Sequence, residues 1–75
     1  MEKTIYSSEY KKIINKLKDA RLKAGLTQLD VAKRLKKHQS YISKIESRER
    51  RLDIIELKLL ASLYRKDITY FLKNE

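Results

Sequence analysis

Apolar residues recur along this chain at intervals of three and four, not in alternation, and that periodicity predicts helices throughout. Ile13, Leu17, Ala20, Arg21 and Ala24 follow it from Ser8 onward. Ser8 is the expected N-cap, and Glu9 falls in the first turn, where the positive end of the helix dipole favours an acid. Gly25 is expected to end this helix as a left-handed residue. Residues 1–7 show no clear period and read as an arm ahead of one domain over 8–75.

Thr27-Gln28-Leu29-Asp30 has the spacing of a capping box, so a second helix runs to about Leu35 with Val31, Ala32 and Leu35 on one narrow apolar stripe. Lys36-Lys37-His38 interrupts the period. A third helix follows from Gln39 to about Ser47: Ile42 and Ile45 share one side, and Gln39, Ser40, Ser43, Lys44 and Ser47 share the other. Asp53-Ile54-Ile55-Glu56 is a second capping box opening a fourth helix, with Ile54, Leu57, Leu60, Ala61 and Tyr64 available to a core. Asp67 can cap a short fifth helix holding Ile68, Phe71 and Leu72. The predicted class is all-α, a compact bundle of five helices.

Composition narrows the chemistry. Seventy-five residues allow one domain. The chain has no Cys, which excludes disulfides, thiolate zinc sites and cysteine nucleophiles, and leaves the cytoplasm as the expected compartment. One Gly and no Pro are too few for the turns of a strand-heavy fold. No stretch approaches the ~18 apolar residues of a membrane span, and Met1 to Tyr10 lacks the apolar segment of a secretion signal.

Nineteen Lys and Arg against ten Asp and Glu give a formal charge of +9, which suits a polyanionic partner. The excess is concentrated: Lys33, Arg34, Lys36, Lys37, Lys44, Arg48, Arg50 and Arg51 face only Glu46 and Glu49 between positions 33 and 51. Basic runs are often simply solvated surface, so charge by itself does not decide between the two readings. The third helix tips the balance, because a solvated helix normally interleaves Glu with Lys, whereas this one presents Gln, Ser and Lys. A membrane-surface role would need large apolar anchors beyond those used in packing.

Two short helices joined by about three residues, the second with a polar basic face, match the helix-turn-helix arrangement. Gly25-Leu26-Thr27-Gln28, then Val31-Ala32-Lys33-Arg34-Leu35, then Gln39-Ser40-Tyr41-Ile42-Ser43-Lys44-Ile45-Glu46, resemble the phage repressor and Cro-like (XRE) helix-turn-helix family. The resemblance covers about Ile13 to Leu72. It implies a lambda-repressor-like fold with the helix-turn-helix at helices 2 and 3, and a prokaryotic or phage transcriptional regulator that binds a double-stranded DNA operator.

Matching positions carry expected roles. The resemblance implies that Gln39, Ser40 and Lys44 reach base edges: a Gln amide can pair bidentately with adenine, and a Lys can donate to guanine O6 and N7. Lys44 suits a phosphate equally well. Gln28, Lys36, Lys37, His38, Ser43, Ser47, Arg48, Arg50 and Arg51 are the expected backbone contacts, with His38 also placed to cap the third helix. Ala32 matches a small residue that lets the two helices cross closely, and Arg21 and Glu46 match a structural ion pair. Three positions depart from the family: Lys36, Arg48 and Arg65 stand where Gly is frequent.

No Ser-His-acid set, phosphate loop or metal-ligand cluster emerges, so no enzyme activity, cofactor or metal is expected. One recognition helix contacts few base pairs, and the family solves this with a two-fold dimer. Helices 4 and 5 hold more apolar residues than the core needs, so Ile54, Ile55, Tyr70 and Phe71 are the expected homodimer interface. The alternative is a protein-interaction module such as an antitoxin, its main partner a toxin; RNA polymerase is a further expected partner of a regulator.

Overall fold

Every helix but the third begins where a side chain satisfies its first amides, and all but the last end on a residue that turns left-handed. The computed structural model describes residues 7–73, with α1 at Ser8–Lys23, α2 at Gln28–Leu35, α3 at Gln39–Glu46, α4 at Ile54–Leu63 and α5 at Ile68–Leu72. Residues 1–6 of the expected arm lie outside the described residues. Ser7, not Ser8, caps α1: its hydroxyl accepts from the Tyr10 amide at 3.1 Å. Adjacent serines are equally competent caps, and the one with extended backbone takes the role.

Both capping boxes close. Thr27 N–H donates to Asp30 at 2.9 Å while Asp30 N–H donates to Thr27 Oγ1 at 3.0 Å, and Asp53 and Glu56 exchange the same pair of bonds at 2.9 and 2.8 Å. Four helix ends share one device. Gly25, Lys36, Arg48 and Arg65 have φ of 76°, 56°, 66° and 59°. In each case the next residue's amide reaches back five positions: Leu26 to Arg21 O at 3.1 Å, Lys37 to Ala32 O at 2.8 Å, Glu49 to Lys44 O at 2.9 Å and Lys66 to Ala61 O at 2.9 Å. This Schellman geometry satisfies terminal carbonyls, at a cost of roughly 1–2 kcal/mol wherever a Cβ is present.

The core gathers Tyr10, Ile14, Leu17 and Ala20 of α1, Val31 and Ala32 of α2, Ile42 and Ile45 of α3, Leu57, Leu60 and Ala61 of α4 with Tyr64, and Phe71 of α5. The inward stripe of α1 is therefore offset from the expected one. Ile14 is buried, Ile13 half-buried and Ala24 exposed, because spacing alone does not choose between adjacent isoleucines.

The structure takes Phe71 off the surface and leaves Ile54, expected both for the core and for the dimer interface, on it. Phe71, expected in the dimer interface, is 1% exposed in the core. Lys16 draws α5 onto α1 by donating from Nζ to Tyr70 O at 3.1 Å and Lys73 O at 2.9 Å, and Tyr70 packs edge-on against Phe71 with centroids 5.0 Å apart. Ile54, available to the core by spacing, is 59% exposed. α4 is apolar nearly all round, and only its Leu57, Leu60 and Ala61 side can face inward.

Candidate nucleic-acid interface

α2 and α3 pack closely, with Ala32 1% exposed at their junction. Ile42 and Ile45 point inward from α3, which leaves Gln39, Ser40, Lys44 and Ser47 exposed and Ser43 half-buried on its outer face. α3 ends at Glu46, with Ser47 as its C-cap, one residue short of expectation.

A chain of side-chain bonds runs from the interior to this face. Arg21 donates from Nε to Glu46 Oε2 at 2.7 Å and from Nη2 to Oε1 at 3.1 Å, and its Nη1 donates to Leu26 O at 2.8 Å. Glu46 Oε1 also accepts from Gln28 Nε2 at 3.0 Å, and Gln28 Oε1 accepts from Gln39 Nε2 at 3.4 Å. The Gln39 amide thus spends one N–H inward and keeps Oε1 and the other N–H for a ligand. That is the acceptor and donor pair that adenine N6 and N7 require.

At the start of α3, Lys36, Lys37, His38, Ser40, Tyr41, Lys44 and Arg50 line an open pocket of about 510 Å³. Two of its lining residues, Tyr41 and Arg50, are held by Glu56. Glu56 Oε2 accepts from Tyr41 Oη at 2.7 Å and Arg50 Nη1 at 2.8 Å, while Oε1 holds the Asp53 amide at 2.9 Å. Burial pushes the Glu56 carboxyl up, but the bonds from Arg50, the Asp53 amide and Tyr41 outweigh it and hold the group below its ordinary value. Burial, then the bond to Glu56, raises the Tyr41 phenol to about 12, so Tyr41 stays a neutral donor near neutral pH. Tyr10 fixes the loop beyond α3 from the other side, accepting from the Leu52 amide at 3.0 Å and donating to Arg50 O at 3.5 Å.

A family profile described as helix-turn-helix matches residues 17–71, from the middle of α1 to within one residue of the end of α5. The chain belongs to the repressor and Cro-like helix-turn-helix family. As a member, this helix-turn-helix protein is a DNA-binding regulator in the general sense of that family. A search of curated proteins finds no match to the chain.

Within the helix-turn-helix protein the expected site residues fall into three groups. Gln28, Gln39, Ser40, Ser43, Lys44 and Ser47 share the α2–α3 surface, where Ser43 Oγ donates to Ser40 O at 3.2 Å and Ser47 Oγ donates toward Glu49 at 2.9 Å. Lys36, Lys37, His38 and Arg50 border the pocket, with Arg48 and Arg51 in the following loop. His38 occupies the N-cap position of α3 yet makes no capping bond, and it lines the pocket. Arg50, expected as a backbone contact, is paired with Glu56. Of the dimer set, Ile54 and Ile55 are 59% and 62% exposed, Tyr70 is half-buried and Phe71 is not at the surface.

Tyr41, which lines the pocket, and Glu56, which binds it, are the residues that sequence reasoning did not single out for the site. Tyr41 reads as core or rim and Glu56 as a helix cap, and no local spacing signals a contact across 15 positions. Among the described residues, no group of three or more His, Cys, Asp or Glu could hold a metal ion, and no helix is long and apolar enough to cross a membrane.

Proposed function

We propose that the protein is a sequence-specific transcriptional regulator that lays α3 in the major groove of a double-stranded operator. The observation that carries this reading is the outer face of α3: Gln39, Ser40 and Lys44 are exposed there, and Gln39 is oriented through Gln28 by the Arg21–Glu46 pair. Gln39 and Ser40 read base edges, and Lys44 reads guanine or holds a phosphate. Gln28, Ser43 and Ser47 meet the sugar-phosphate backbone beside α3. Lys36, Lys37, His38, Arg48, Arg50 and Arg51 hold phosphates on either side of it.

One α3 spans few base pairs, so the protein acts as a homodimer on a palindrome with half-sites about 34 Å apart, one turn of B-DNA. The exposed side of α4 supports this, because Ile54, Ile55 and Leu59 are each more than half exposed on one helix. The same patch favours a second reading, in which it docks a different protein such as a toxin or an RNA polymerase subunit. Sedimentation of the pure protein, alone and with operator DNA, separates them: a dimer dissociated by Ile55→Glu supports self-association, and a monomer in both conditions overturns it.

A further inference from the structure

Two cations from different segments converge on one aromatic ring at the start of α3. Lys37, in the turn entering the helix, places Nζ 5.2 Å from the Tyr41 ring centroid, and Arg50, in the loop beyond it, places Cζ 4.7 Å away. Both side chains also border the same open pocket; like charges gathered at one site repel each other, and long Lys and Arg side chains left to themselves sample many rotamers. The ring and one carboxylate oppose both tendencies. The Tyr41 quadrupole attracts each cation, and Glu56 Oε2 binds the Tyr41 hydroxyl and Arg50 Nη1 together. Glu56 is itself anchored to backbone through the Asp53 amide, so the assembly is tied to the start of α4. Arg50 Nη1 also donates to Arg51 O at 3.1 Å, which leaves Nε and Nη2 without a hydrogen bond among the described residues.

We propose that Tyr41 and Glu56 are positioning residues that hold Lys37 and Arg50 as a clamp for one shared phosphate of the DNA backbone. The proposal rests on the DNA-binding reading above and sharpens it: Lys37 and Arg50 are not two independent phosphate contacts but two arms of one. A phosphate is the fitting occupant because both arms are donors only, and a phosphate offers acceptor oxygens in several directions. A base edge presents donors and acceptors in one plane, and the clamp has no acceptor to offer its donors. The conformational entropy of ordering the two arms is lost before DNA arrives, which is how preorganisation raises affinity.

The decisive variant is Glu56→Gln, because charge by itself and positioning predict opposite results. Removing an acid from a basic protein should tighten DNA binding if Glu56 acts only through charge. The clamp predicts weaker binding, by about threefold, with unchanged sequence preference. Lys37→Ala combined with Arg50→Ala, both outside the core, supplies a second test in fluorescence anisotropy titrations on duplex DNA across a range of salt. The double variant should flatten the slope of log K against log salt by about 0.9, one phosphate, where independent contacts would flatten it by about 1.8. If the unmodified protein shows no affinity for duplex DNA, the DNA-binding reading itself has failed. If it binds, and Glu56→Gln binds as tightly or more tightly or the double variant loses two phosphates' worth of slope, the clamp is wrong.

Discussion

Arg21 and Glu46 join the first and third helices through two hydrogen bonds in a setting where their side chains are only 7% and 6% exposed. Neither charge has water to fall back on. Removing one partner leaves the other buried and unpaired, so Arg21→Met or Glu46→Leu should cost about 3–5 kcal/mol, while the double replacement should cost less than either single. Thermal melts of the four proteins measure this. Additive losses would show that the two residues do not act as a pair.

The three non-glycine residues at positive φ offer a way to separate stability from binding. Lys36→Gly, Arg48→Gly and Arg65→Gly should each relieve left-handed strain, for a net gain of up to about 1 kcal/mol after the extra flexibility of the unfolded chain is counted. That corresponds to a rise of roughly 4–8 °C in a domain of this size. Only the first two should also weaken DNA binding, because Lys36 lines the pocket and Arg48 follows α3, whereas Arg65 lies beyond α4. Equal losses of affinity in all three would contradict the placement of the interface.

Acid should unfold the protein by a route that capping and the pocket define. Asp30 and Asp67 are held below the ordinary carboxylate value, first by bonds from the Thr27 and Thr69 amides respectively, and Glu56 is lowered by its three donors against the effect of burial. A carboxylate with a lowered folded value binds its proton more readily in the unfolded chain. Its contribution is therefore complete above the unfolded value of about 4 and is lost as pH falls through the lower folded one. Melting temperature should drop below about pH 4, and Glu56→Gln should make the drop shallower. An acid limb of unchanged steepness in that variant would count against the Glu56 network.

At the alkaline end, Tyr41 should titrate late, near 12, so its stabilising contribution is full below the ordinary tyrosine value of about 10 and fades as pH rises toward 12. Absorbance titration of phenolate formation should lose one late-titrating group in Tyr41→Phe. Loss of a group that titrates near 10 instead would mean that Tyr41 is not buried against Glu56.

Features set by neighbours three or four positions apart were legible in the sequence. Thr27 with Asp30 and Asp53 with Glu56 identify helix starts because both partners lie within one turn, and the motif from Gly25 to Glu46 identifies the helix-turn-helix. Choices between equivalent neighbours were not legible, as with Ser7 over Ser8 and Ile14 over Ile13. Phe71 was misplaced because α5 has five residues, too few to establish a period, and its tether is a lysine 55 positions earlier in the chain. The Tyr41–Glu56–Arg50 cluster was hidden for a similar reason: each residue had an adequate local explanation.

The two glutamines should separate in their effects. Gln39→Ala should remove preference at particular base pairs at a cost of about 1–3 kcal/mol, while Arg51→Ala should weaken binding to all sequences about equally. Gln28→Ala should do some of both, since Gln28 is a proposed backbone contact and its Oε1 also holds Gln39. Competition binding against a panel of single-base operator variants reads this directly. A Gln39→Ala protein with unaltered discrimination would remove Gln39 from base readout.

That α3 reads duplex DNA is tested most directly by selecting binding sites for the purified protein from random duplexes. The expected result is an enriched palindrome whose half-site centres are about 10 base pairs apart, with one position in each half-site losing its preference in Gln39→Ala. Recovery of unenriched sequence, or of a palindrome that Gln39→Ala, Ser40→Ala and Lys44→Ala all leave unchanged, would contradict it.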